Sequence, residues 1–196
     1  MGCNYRAVHT LVALSGNYDV KGGHPAAPPV AAPCNEFGKV KRRSDEEAIG
    51  EKDFPVWFEL PCEEAQCTRL ADYILNEEPY PLKAVFAMGL NHRMWPQPSH
   101  LKKALGKLDF YVNVDLFMSD SSDMADIVLP AAGFFERYEV KNMRGGKFVL
   151  AEPAVEPLGE AKNDIEIIIE IMKRMNLRDE ALSDGYENYM NYILEP

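Results

Sequence analysis

The chain has 196 residues, 46% of them hydrophobic and 27% charged, with a formal charge of −10. That length and balance suit one substantial globular domain with its own buried core. They argue against a nucleic-acid partner, whose phosphates require a basic surface, and no apolar run approaches the roughly 20 residues of a membrane-spanning helix.

An acidic protein can still hold a nucleotide, because backbone N–H groups and helix N-termini bind pyrophosphate without basic side chains. The cysteines, Cys3, Cys34, Cys62 and Cys67, are too few and too scattered for a disulfide scaffold. Cys62 and Cys67 lack the two-residue spacing of a zinc or iron–sulfur knuckle. They read as isolated thiols.

In chain order, Arg6 to Leu14 sets Ala7, Val8, Leu11, Val12 and Leu14 at helical spacing, and Ser15-Gly16-Asn17 stops the helix. Gly22 to Gly38 is a Gly/Pro/Ala-rich extended loop, and Lys39 to Glu47 a solvated charged run. The organisation divides at about residue 60: 1–60 forms the helix and loop, and 61–196 an α/β unit. Cys62 to Asn76 suits a helix. Lys83 to Met88, ended by Gly89, has the pattern of a buried strand. Ser99 caps a predicted helix reaching Leu108, with Leu101, Ala104, Leu105 and Leu108 facing inward.

Phe110 to Val114 is the second strand, ending at Asp115, and Asp126 to Leu129 the third, closed by Pro130. Tyr138–Lys141 and Lys147–Ala151 pair as a hairpin across Arg144-Gly145-Gly146. Asn163 to Met175 is an amphipathic helix burying Ile165, Ile168, Ile169 and Met172, and Asp179 to Ile193 a second helix. The fold class is therefore α/β: a three-layer, mostly parallel, Rossmann-like sheet with flanking helices, a small hairpin and C-terminal helices.

In such sheets ligands bind beyond the carboxyl ends of the strands. That rule selects Gly89-Leu90-Asn91, Asp115 and the loop from Ser119 to Asp123. Gly89 permits close backbone approach. Asn91 offers a donor and an acceptor, and Asp115 accepts from a ring N–H, amine or hydroxyl. The serines suit a cap or a phosphate. On spacing alone each is equally a turn residue. No glycine-rich dinucleotide fingerprint or phosphate loop occurs. The histidines read as structural, and Asp120, Asp123 and Asp126 lack the glycine and glutamate of a cation loop. No catalytic residue and no metal ligand is assigned.

Three stretches carry a resemblance. LDFYVNVDLFMSDSSDMADIVLPA, from Leu108 to Ala131, resembles an element of the molybdopterin oxidoreductase (dimethyl sulfoxide reductase-like) catalytic subunits: strand, acidic residue, Phe-Met-Thr turn and Ala-Asp-Val-Val-Leu-Pro-Ala. ALSGNYDVKGG, from Ala13 to Gly23, is similar to the family's Leu-Thr-Gly-Asn-Ile-Asp-x-x-Gly-Gly segment. VEPLGEAKNDI, from Val155 to Ile165, resembles its Val-Glu-Pro-x-Gly-Glu-Ala-x-x-Asp-Trp. The chain departs from the pattern in His92, where Pro is common, in Ser122, where Ala is frequent, and in Tyr138 to Asn142, where Gly-Thr-x-x-Asn is usual.

The resemblance implies an internal fragment of such a subunit, the second half of a split α/β domain. It would contact one of two molybdopterin guanine dinucleotides on molybdenum or tungsten. The implied contacts are Gly89, Asn91, Asp115, Ser121 and Asp164, with Asp115 and Asp164 toward guanine or ribose and the serine nearer phosphate. Catalysis, the metal-ligating residue and any iron–sulfur cluster would lie in other parts of the catalytic subunit, which with electron-transfer subunits would be the partner. A parent of this kind is prokaryotic, cytoplasmic or periplasmic. Two rival readings stay open: a pterin-free structural or electron-transfer relative, and a small nucleotide-binding module.

Overall fold

A computed structural model describes residues 2–24, 47–56, 67–143, 147–179 and 181–194. Most of the Gly/Pro-rich loop, most of the charged run, residues 62–66 of the predicted second helix and the hairpin turn lie outside the described residues.

Helix α1 spans Gly2–Leu14. It stops where Gly16 adopts φ +69°, a left-handed conformation that glycine takes without Cβ strain. Its apolar positions Val8, Leu11 and Leu14 are exposed, so the helical spacing did not mark a core-facing stripe. A short turn at Cys67–Arg69 leads into α2, Leu70–Asn76.

Strand β1 (Ala84–Met88), helix α3 (Pro98–Leu105), strand β2 (Phe110–Asp115) and strand β3 (Ile127–Pro130) follow. The strands form one parallel sheet in the order β1-β2-β3, with Ala84 opposite Phe110, Met88 opposite Val114 and Asp115 opposite Pro130. This is the expected three-stranded parallel sheet flanked by helices. Helix α3 begins at Pro98, not at a Ser99 cap, because proline's fixed φ and missing N–H suit the first helical position. It ends at Leu105, with the Gly106 amide closing the last turn on the Lys102 and Ala104 carbonyls.

Helices α2 and α3 pack on one face of the sheet. Ala71, Ile74, Ala87, Leu90, Leu101, Ala104, Leu105 and Tyr111 form a single buried cluster there. Leu101 is 1% exposed, and a side chain so buried contributes roughly 1.5–3 kcal/mol. On the opposite face of the sheet Phe86, Met88, Phe110 and Ile127 are exposed.

Strands β4 (Glu139–Met143) and β5 (Lys147–Ala151) pair antiparallel, as the hairpin expectation required. Helix α4, Asp164–Arg174, carries a full capping box: Asn163 Oδ1 accepts from the Ile165 amide, and Glu166 accepts from the Asn163 amide. Its buried residues are Ile167 and Ile169, whereas Ile165, Ile168 and Met172 are only half-buried. The helix lies between two neighbours, which splits its burial over two sides: α5 touches one, and Ile167 and Ile171 face Val128–Pro130 across a cleft of about 340 Å³.

Helix α5 is Tyr186–Leu194, shorter than expected. Asp179 Oδ1 caps a separate turn by accepting from the Ala181 and Leu182 amides, and Gly185, at φ +102°, interrupts the path.

Candidate functional site

Because β1 and β2 are adjacent and parallel, the loops that follow them emerge at the same edge. The Gly89 amide donates to the Val114 carbonyl at 2.8 Å, extending the ladder one step past β1. Gly89 sits at φ +64°, and a Cβ built there meets nothing within 4 Å, so the backbone at this point borders open space. Asn91 then caps the short turn His92–Met94 through Oδ1, which accepts from the Arg93 amide at 3.1 Å. Its Nδ2 has no partner among the described residues.

The two loops are fastened together. His92 is 5% exposed and Ser121 is fully buried. Ser121 Oγ accepts from the His92 amide at 2.9 Å and lies 2.7 Å from His92 Nδ1. Arg93, just after His92, pairs at the surface with Asp120, just before Ser121. Ser121 therefore spends its hydroxyl behind the edge, where it sets the position of the loop carrying Asn91, instead of offering it outward to a phosphate.

Asp115 ends the central strand. Its Oδ1 accepts from the Leu116 amide at 2.8 Å and its Oδ2 from the Ser119 hydroxyl at 3.1 Å. The carboxylate is thus oriented by its own loop while remaining only half-buried. Beneath it, on the same face of β2, lies Tyr111, 1% exposed with a hydroxyl that has no partner among the described residues. Burial pushes that phenol up to about 12, and the nearby Asp115 charge adds to the shift.

Asp164 sits one bridge beyond β3. The Ala131 amide donates to the Asp115 carbonyl, and Ala131 bridges Lys162, which places the start of α4 beside the strand ends. Asp164 Oδ2 accepts from Arg137 Nη1 at 3.0 Å. The structure therefore brings Gly89, Asn91, Asp115 and Ser121 to one edge and places Asp164 at its flank, already holding a cation.

A cleft of about 550 Å³ lies among Arg137, Tyr138, Val155, Asn163, Glu166 and Tyr186. Its size suits a small molecule, but its polar groups are largely committed. Asn163 and Glu166 cap α4, and the Tyr186 hydroxyl donates to the Tyr138 carbonyl. Glu136 takes the Gly133 and Leu158 amides. The strand edge, with an oriented carboxylate and an open amide, is chemically the better site.

Spacing alone did not single out Asn113, Arg93 or Arg137. A signal for the first was present: Tyr111, Asn113 and Asp115 alternate with valines, which sets three polar residues on one face of a core strand. Asp126, considered for a cation loop, instead accepts from the Tyr111 amide at 2.7 Å and pins β3 against β2. Among the described residues no three His, Cys, Asp or Glu side chains gather as a metal site.

The model of the family described as molybdopterin oxidoreductase matches residues 3–174. The chain belongs to that family. It is 30% identical over 190 residues to the dopamine dehydroxylase of Eggerthella lenta, covering 88% of this chain and 18% of that protein. To the acetylene hydratase of Syntrophotalea acetylenica it is 34% identical over 135 residues, 67% of this chain and 18% of that protein. The solved structure of acetylene hydratase from Pelobacter acetylenicus superposes with a TM-score of 0.52 at 32% identity, over 59% of this chain and 16% of that one. The chain thus spans less than a fifth of the length of these relatives. The family match accounts for the parallel sheet and for the order of its three motifs.

Proposed function

We propose that this chain supplies part of the seat for one guanine nucleotide of a bis(molybdopterin guanine dinucleotide) cofactor in a molybdenum or tungsten oxidoreductase. Asp115 carries the reading: a carboxylate at the end of the central strand, oriented from behind and open in front. Family membership supports the cofactor class, since pterin-dithiolene metal is what such enzymes use. When bound, the cofactor supplies two-electron redox chemistry, while protein supplies position and electrostatics.

In this reading Asp115 accepts from guanine or ribose donors, and the free Nδ2 of Asn91 donates to a carbonyl or phosphate oxygen. Gly89 lets the ligand lie against the backbone. Ser121 acts through His92, by fixing the loop that carries Asn91. Asp164 contributes its second oxygen, Oδ1, while Oδ2 holds Arg137. The metal ligand and the reacting groups belong to other parts of the catalytic subunit, which together with electron-transfer subunits forms the partner set.

Calorimetric titration of the chain with GMP and GDP, with AMP as control, tests the assignment. Guanine-selective binding, of the order of millimolar or tighter, is the expected result. AMP bound as tightly as GMP would overturn it.

A further inference from the structure

Strand β2 reads Phe-Tyr-Val-Asn-Val-Asp, and its alternation puts Tyr111, Asn113 and Asp115 on one face. A central strand of a parallel sheet is ordinarily apolar on both faces, yet Asn113 is fully buried. Its Nδ2 donates to Ser122 Oγ at 3.0 Å and reaches Asp115 Oδ2 at 3.5 Å. Its Oδ1 has no partner among the described residues. Turning the amide over would face an oxygen toward a carboxylate, so the charge above it dictates that the nitrogen points that way. The unsatisfied Oδ1 is a cost of keeping a donor beneath Asp115.

The hydroxyls continue the pattern. Ser122 Oγ lies 3.1 Å from Ser119 Oγ and 3.2 Å from the Phe117 carbonyl. Ser119 Oγ lies 3.1 Å from Asp115 Oδ2. Each hydroxyl has one proton. The carboxylate is the strongest acceptor in reach, so the Ser119 proton goes to Asp115. Ser122, receiving from Asn113, gives its proton to the Phe117 carbonyl, and its amide donates to Ser119 Oγ at 3.3 Å. Donors thus converge on Asp115: Asn113 reaches it directly and also holds Ser122, whose amide holds the Ser119 hydroxyl that donates to Asp115.

We propose that Asn113, Ser122 and Ser119 are positioning residues: a hydrogen-bond chain that fixes the Asp115 carboxylate and leaves a defined part of it open to a ligand donor. Of roughly four acceptor positions on a carboxylate, the Leu116 amide and Ser119 fill one each, and Asn113 leans on a third. The open position on Oδ1 is what the nucleotide meets. This rests on the reading of Asp115 as a guanine-nucleotide contact, and the test separates the two.

Ser119 is half-buried and tolerates substitution better than Asn113. The comparison is Ser119→Ala, Ser119→Thr, Asp115→Ala and the double variant Ser119→Ala/Asp115→Ala. Two quantities are read: the affinity for GMP, and hydrogen exchange at the Leu116 amide, which is bonded to Asp115 and not to Ser119. Ser119→Ala should weaken GMP binding and speed Leu116 exchange, each by about tenfold, the worth of one bond to a charged group. Ser119→Thr, which keeps the hydroxyl, should restore both. In the Asp115→Ala background the Ser119 change should have no further effect. Unchanged Leu116 exchange in Ser119→Ala, or an undiminished effect without Asp115, overturns the proposal. Faster Leu116 exchange in Ser119→Ala, with no GMP bound by any form, upholds the positioning chain and defeats the guanine reading instead.

Discussion

His92 and Ser121 meet twice across the edge of the sheet: the serine hydroxyl takes the histidine amide at 2.9 Å and stands 2.7 Å from its Nδ1. The two residues lie on different loops, 29 positions apart, so the contact joins the turn after β1 to the turn after β2. The hydroxyl accepts from the amide, and the imidazole tautomer sets which partner donates in the second bond.

Ser121→Ala removes both bonds inside a buried site. It strands the His92 amide, and the expected loss is about 1–3 kcal/mol of stability, measured by urea unfolding. A change below about 0.5 kcal/mol, the level of an ordinary surface substitution, would show that the pair does not fasten the loops.

Tyr111 is the opposite case, a buried hydroxyl without a partner among the described residues. Tyr111→Phe keeps the ring in the core and deletes the orphan, so it should be neutral or stabilising by up to about 1–2 kcal/mol. Its pH signature follows from the raised phenol. Tyr111 and Tyr73 are both pushed up to about 12, chiefly by burial. A folded value above the unfolded one means that stability is complete below about pH 10 and falls as pH rises toward 12. Removing Tyr111 should make the alkaline limb of a melting profile shallower, with Tyr73 left to supply the remainder. An unchanged limb would count against the buried phenol.

At acid pH the relevant group is Asp72, which accepts from His100 Nε2 at 2.8 Å and from Arg69 Nε at 3.1 Å. The bond to His100, and then that to Arg69, hold its carboxyl below the usual value of 3.8. A depressed folded value stabilises the protein above the unfolded pKa, and the contribution is lost as pH falls through the folded value. All three side chains are about a third or more exposed, so the effect is screened and modest. Asp72→Asn should flatten the melting temperature between about pH 5 and pH 2 relative to the parent chain. A parallel pair of curves would remove Asp72 from the acid response.

The sheet was legible because its signals are local and redundant. Lys83–Met88, Phe110–Val114 and Asp126–Leu129 are short apolar runs closed by Gly, Asp or Pro, and each became a strand within a residue or two. Element ends were less legible. Whether Pro98 or Ser99 opens α3 depends on backbone torsions, and whether residues 179–193 form one helix depends on Gly185. The apolar spacing of α1 indicated a helix correctly but not a buried face, since periodicity reports which side could be covered and not what covers it.

The candidate edge was found from the topological rule and the family motifs, because strand ends can be read from sequence. The Asn113 chain and the Ser121–His92 clasp were not, since each depends on which hydroxyl faces which loop. The Tyr-x-Asn-x-Asp alternation was the trace of the first, while His92 and Ser121 each stood out in the sequence without their contact being legible.

Asp115 offers the most direct separation of ligand role from structural role. Its carboxylate holds the Leu116 amide and the Ser119 hydroxyl in a half-buried setting, so Asp115→Ala should cost only about 0.5–1.5 kcal/mol of stability. A nucleotide donor meeting that charge is worth more, and GMP affinity should fall by about tenfold or beyond. The same variant removes the charge that helps raise Tyr111. The Tyr111 phenol should therefore move down toward its ordinary value while burial keeps it elevated. Calorimetry, urea unfolding and an alkaline ultraviolet titration read the three effects independently. If stability falls as predicted, the phenol shifts and GMP binds unchanged, Asp115 is a structural carboxylate that orders its own loop, and the nucleotide contact must be sought elsewhere on the edge.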